Sequence, residues 1–206
     1  MGLDVIAVSK AKYLACSGGD ECDDTHWPVG RSPKRRDGLK PGCYVAGRGG
    51  RDTGFYINYS DYNDWRRNLS ILALGVPPEE VWDHPRRFRG KPFVELVDFP
   101  DCGVFTIGPK TAAKLHADFV AFARKARRHF LTEKVSAAPK SEKRRREGHY
   151  SAGLEAARAV VKAIGGFIPG EFTPQETGCA QWMWEAYCDF RKAFKLASND
   201  GFVSFC

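Results

Sequence analysis

Between Gly54 and Arg67 the chain sets Tyr56, Tyr59, Tyr62 and Trp65 among Asn58, Ser60, Asp61, Asn63, Asp64, Arg66 and Arg67. Flat aromatic faces beside hydrogen-bonding tips are the parts of a binding surface. Tyr56 or Tyr59 would stack on a nucleobase, a contact worth about 1–3 kcal/mol per base. Asn63 and Arg66 would hold phosphate oxygens or base edges. Ser60, at the foot of a predicted helix, would lie near free backbone N–H groups that favour anions. The plainer reading makes Tyr62 and Trp65 core residues, alternates Tyr56 and Tyr59 on a strand, and leaves Arg66 and Arg67 in solvent.

Just upstream, Arg48 and Arg51 lie among Gly47, Gly49, Gly50 and Gly54. Glycines let backbone N–H groups converge on an anion, and Arg grips phosphate through two parallel bonds. The spacing is neither a P-loop nor a dinucleotide fingerprint, and a flexible loop is the alternative. Lys110 and Thr111 follow Gly108 and Pro109 at another predicted helix start, where the helix dipole favours an anion. Pro at a first helical position is also an ordinary way to begin a helix.

Catalytic and metal chemistry have thinner support. Asp98, Asp101 and Cys102 cluster at a predicted turn, but a nucleophilic Cys needs a partner that activates its thiol. His26, His84, His116, His129 and His149 show no linking motif. Cys16, Cys22, His26 and Cys43 are possible zinc ligands, yet their spacing matches no common finger. The acidic run from Asp20 to Asp24 lacks the alternation of a calcium loop. The sequence therefore leans away from an enzyme and implies no cofactor and no metal.

The elements that must position these residues follow from pattern. Leu3–Val8 reads as a strand, and residues 17–42 as a long excursion. Cys43–Val45 is a short strand, and 46–54 a loop. A helix starts at Ser60 or Asp61, with Tyr62, Trp65, Leu69 and Leu72 on one face. Gly75 and Pro77-Pro78 end it, and Glu79–Trp82 adds a turn. Phe93–Phe99 and Val104–Ile107 suggest a hairpin about Pro100–Gly103. Pro109 opens a long helix with Leu115, Phe119, Phe122 and Phe130 inward. A third helix is expected over 150–164. A fourth follows Thr173, Pro174 and Glu176, a capping box. Its inner face continues through Met183, Tyr187, Phe190 and Phe194, and Phe202–Phe205 is a last strand.

This order predicts an α+β fold: a small, mostly antiparallel sheet with about four helices on one face. Residues 1–206 are read as a single domain with a basic loop or linker near 134–148. The 206 residues carry 32 Lys and Arg against 25 Asp and Glu, a net charge of +7. That sign favours anionic partners. Basic clusters lie at Arg31–Lys40, Arg86–Lys91, Arg124–Arg128 and Lys143–Arg146. If they share a face, nucleic acid is a partner. No apolar run is long enough to span a membrane, and the start does not read as a signal peptide. The seven Cys are irregularly spaced, so no disulfide framework is expected and a cytoplasmic location is.

Four segments carry a resemblance: Met1–Val5, the aromatic run at 59–66, Phe99–Gly103 through Ile107–Pro109, and Gly201–Phe205. In this order they resemble a group of small uncharacterised proteins of tailed phages and prophages. The likeness leaves 10–54 and 131–175 unmatched. It implies a setting, a phage acting in the host bacterial cytoplasm, and no mechanism. Combined with charge and aromatics, the expectation is a binding protein that captures a nucleotide-like anion to counter host defence. The alternatives are an inhibitor of a host defence protein and a nucleic-acid-binding protein. Oligomeric state is not set by the sequence.

Overall fold

The computed structural model describes residues 2–14, 26–30, 35–98, 105–132 and 176–206, with side chains from 181 onward in the last segment. The strands are β1 (Gly2–Val8), β2 (Ala11–Leu14), β3 (Trp27–Val29), β4 (Gly42–Ala46), β5 (Asp52–Asn58), β6 (Phe105–Ile107) and β7 (Phe202–Phe205). The helices are α1 (Tyr59–Leu74), α2 (Pro78–Asp83), α3 (Pro85–Phe88), α4 (Val94–Val97), α5 (Pro109–Thr132) and α6 (Glu176–Ala197). The fold is α+β, and both sheets are antiparallel.

The larger sheet has the order β5-β1-β7-β6, so the first and last strands lie side by side. Successive side chains on a strand face opposite ways. Leu3, Val5 and Ala7 therefore join Ile57, Val203, Phe205 and Ile107 on the inner face, under α1, α5 and α6. The long helices meet this face through rings. Trp65 stacks on Phe190 at 4.4 Å between centroids, and Phe119 stands edge-on to Tyr187 at 4.7 Å. The Trp65 indole N–H donates to the Met183 carbonyl at 3.1 Å, and the Tyr187 hydroxyl donates to the Phe119 carbonyl at 2.7 Å. Burial pushes the Tyr187 phenol up.

A second sheet, β2-β4-β3, was not anticipated as a layer. It covers one end of the outer face, where Val8 and Phe202 pack with Val29 and Tyr44. The Ser204 hydroxyl donates to the Pro28 carbonyl and ties the two sheets together.

The expected hairpin at 93–107 is not formed as such. Val94–Val97 is a helical turn, and β6 pairs with β7. Val94, Leu96 and Val97 are all buried, and periodicity cannot separate a fully buried strand from a buried helical turn. Phe93 takes a left-handed φ of 59° and donates its N–H to the Asp118 carboxylate. The expected 150–164 helix, the 134–148 linker and the capping box at 173 lie outside the described residues. Cys43 is disulfide-bonded, against the expectation from cysteine spacing. Cys188 and Cys206 are free, and burial pushes the Cys188 thiol up.

His116 on α5 faces Arg191 and Lys195 of α6. Burial and then the Lys195 charge depress its pKa, outweighing the opposing pull of the nearby Arg191 backbone. The unfolded chain therefore takes up a proton at higher pH than the folded one. The stability this provides is complete above the ordinary His range near pH 6.5 and declines as pH falls through it. Wild type should lose melting temperature between pH 7.5 and 5.5, and His116→Gln should lose less. Equal losses would remove His116 as the cause.

Candidate functional site

The expected ligand-binding residues do not gather in one cleft. Tyr56 is 59% exposed on the outer face of β5, its hydroxyl bonded to Asn58 Oδ1 at 3.1 Å. Its ring lies over Gly2, where any Cβ would collide with it. Tyr59 packs against the core, while Tyr62 and Trp65 are buried inside it. Ser60 is exposed, but Asp61 already places a carboxylate in the first turn of α1 and accepts from the Asn58 amide. That charge satisfies the helix dipole and repels an incoming anion.

Asn63 and Arg66 are committed to each other. Arg66 Nη2 donates to Asn63 Oδ1 at 2.8 Å, and Arg66 is only 2% exposed. Its guanidinium lies 5.4 Å from the Tyr62 ring centroid and 5.1 Å from that of Trp82. Arg66 thus braces packing between α1 and α2, where the sequence pattern suggested a ligand contact.

At α5 the predicted anion site already holds an internal carboxylate. The Asp37 carboxylate accepts from the Thr111 N–H at 2.6 Å and from the Thr111 hydroxyl at 3.0 Å. Lys110 beside it is exposed. Asp98 accepts from Arg35, and burial lowers the Arg35 pKa despite that pairing. Asp101 and Cys102 lie outside the described residues, as do Cys16 and Cys22. Cys43 is disulfide-bonded in this structure and so offers no thiolate to a metal here. Among the described residues no cluster of three His, Cys, Asp or Glu side chains could hold a metal.

The glycine loop is a tight corner in which the N–H groups of Gly47, Gly50 and Arg51 are already bonded. Gly47 donates to the Lys10 carbonyl and Gly50 to the Gly47 carbonyl, each at 2.8 Å. The Arg51 N–H donates to Ser9 Oγ at 2.9 Å, and the Ser9 N–H donates back to the Arg51 carbonyl. Those three N–H groups are not open to phosphate. The side chains tell otherwise. These bonds fix the β1–β2 junction against the β4–β5 turn and bring Lys10 beside Arg48 and Arg51. A Cβ on Gly49 would sit 3.4 Å from Lys10 Nζ, and one on Gly47 would sit 3.8 Å from Lys12 Cβ.

Lys10, Lys12, Arg48 and Arg51 are all exposed. Among the described residues none of the four makes an ion pair. The adjoining acids are Asp52 and Asp200, both exposed. This corner keeps Arg48 and Arg51 from the sequence reading and replaces their expected partners. The missed residues had one signal, the charged–apolar alternation from Lys10 to Leu14 that marks a half-exposed strand.

No family model, curated protein or solved structure matches this chain. Its chemistry must therefore be read from the site. No described helix is long and apolar enough to cross a membrane. Elsewhere, an open groove of about 510 Å³ is lined by Asp83, His84, Pro85, Arg86 and Arg87. Beside it Trp82 is 40% exposed, its indole N–H held by the Val97 carbonyl at 3.1 Å.

Proposed function

We propose that this is a non-enzymatic binding protein for a phosphate-bearing, nucleotide-type ligand, encoded by a phage and acting in the bacterial host against its defences. The phage setting rests on the resemblance of the two ends and the middle of the chain. The ligand class rests on one observation, the convergence of Lys10, Lys12, Arg48 and Arg51 without carboxylate partners. Unneutralised cations held close by a fixed backbone raise the local concentration of anions. In the host cytoplasm thiols are kept reduced, and the Cys43 bond would open there. The corner itself is held by backbone and Ser9 hydrogen bonds.

A panel of nucleotides and oligonucleotides tested by thermal shift decides this. A ligand at a hundredfold excess over its Kd adds about 2.7 kcal/mol, which is roughly 5–10 °C for a chain of this size. The shift should vanish in Lys10→Glu/Arg48→Glu. If no member of the panel moves the wild-type melting temperature, the reading is lost.

A second reading, an inhibitor of a host defence protein, is favoured by Trp82. An exposed Trp with a buried Arg behind it has the composition of an interface hot spot. It predicts one protein retained from nuclease-treated lysate by wild type and by Lys10→Glu/Arg48→Glu, and lost by Trp82→Ala. Retention by Trp82→Ala would exclude that face.

A further inference from the structure

We infer that the phosphate-bearing ligand is a single nucleic-acid strand, lying along the edge strand β2 with a base stacked on Tyr13. This deepens the anion-binding reading and rests on it. The cations are strung out, not clustered round a hollow. Lys10, Arg48 and Arg51 stand at the start of β2, and Lys12 lies along it opposite Val45, on the other face from Tyr13, so a strand on this edge would turn its phosphates to one face and its base to the other. Lys40 stands at its far end, Nζ 6.0 Å from the Tyr13 ring centroid. The row follows four residues of extended chain, about 13 Å, which suits a short run of backbone phosphates. A lone nucleotide is bound best in an enclosing pocket, whereas these cations are exposed along a strand edge.

Tyr13 supplies what phosphate contacts lack. It is 43% exposed on an edge strand, yet held in place. Its ring lies against Gly42, where a Cβ would come within 2.9 Å of Cε2, and Gly42 has a φ of 138° that favours glycine. Its other support is the Tyr44 ring, edge-on at 5.3 Å. Tyr44 is itself fixed by its hydroxyl bond to the Lys40 carbonyl and by Phe202. A ring held this way loses little freedom on stacking. Lys40 is exposed and flexible, so it can swing from the ring to a neighbouring phosphate as a base arrives. Near Tyr44, Arg36 adds a further positive charge, and its Nε and Nη1 are buried with no hydrogen-bond partner among the described residues. An aromatic platform beside a basic track is the arrangement that binds unpaired strands with little sequence preference.

The test is fluorescence anisotropy of the full chain with a labelled oligothymidylate of roughly 12 nucleotides, within usual site sizes. Affinity should fall with salt, log K losing about 0.7 per decade of salt for each phosphate neutralised. Tyr13→Ala should weaken binding by roughly 5- to 150-fold, the loss of one stacked base. Tyr13→Phe should retain it. Lys12→Ala, which touches no core, should reduce the salt slope by about 0.7. Equal competition by thymidine monophosphate and by the oligomer would overturn the strand but leave the anion reading standing. Equal affinity for duplex, with Tyr13→Ala unchanged, would overturn stacking. Binding of no oligonucleotide and no nucleotide would overturn both.

Discussion

Replacing Trp65 with Ala is expected to cost about 3–5 kcal/mol of folding stability, a fall of roughly 6–20 °C in Tm for a chain of this size. The reason is where the indole lies. Trp65 is fully buried, stacked on Phe190 at 4.4 Å and on Phe119 at 6.4 Å, with Tyr62 on its own helix at 6.2 Å. It is the piece of α1 that touches both long helices. Removing it leaves a cavity that rings on α5 and α6 cannot fill without leaving their own contacts. The Met183 carbonyl also loses its donor inside the core. Trp65→Phe restores part of the volume but not that donor, so it should fall between the two. Thermal unfolding followed by circular dichroism measures both variants. A loss below about 1 kcal/mol in Trp65→Ala would mean the helices close over the gap, contrary to the packing described.

Gly201→Ala should be the most damaging one-carbon addition in the described chain. A Cβ there would fall on the Val8 carbonyl oxygen, 2.8 Å from its carbon and 2.9 Å from Ser9 Cα. These are backbone atoms of a central strand and cannot rotate away. Val8 is paired on both sides, with Asp52 of β5 and Phe202 of β7. The next links hold as firmly, since Lys10 and Ala11 donate N–H groups to the Asn199 and Asp200 carbonyls. Overpacking costs about 1–3 kcal/mol where side chains can adjust, and a backbone clash places this variant at or above that range. A second consequence separates it from Trp65→Ala. Moving residues 8–11 shifts Lys10 and Lys12 away from Arg48 and Arg51, so anion affinity should fall under conditions where the protein remains folded. Chemical denaturation and the anisotropy assay read the two effects. Stability within about 0.5 kcal/mol of wild type would show that the strand end slips aside.

The aromatic run shows how one segment divides between chemistry and packing. Tyr62 and Trp65 fall on the inner stripe of α1, as their spacing requires, and helix and core were legible from that spacing alone. Arg66 was not. Its charge suggests solvent or ligand, yet Asn63, Tyr62 and Trp82 enclose it. Trp82 comes from the next helix, and no feature of residues 59–67 foretells its position.

Local pattern determined the terminal strands, the inner stripe of α1, the start of α5 and the α+β class, because alternation, helical spacing, Pro and Gly act over a few residues. Tertiary structure decided the fate of each donor and charge. Asp37 reaches Thr111 across 74 residues, and Ser9 reaches Arg51 across 42. Those long-range bonds took up donors at the two places where composition suggested an anion, closing the one at Thr111 and leaving side-chain cations at the other. The same folding gathered Lys10, Lys12, Arg48 and Arg51 at a corner their separation in the chain conceals. A backbone N–H or a cation is available to a ligand only if no distant part of the chain has satisfied it first, and that accounting closes only when the chain is packed.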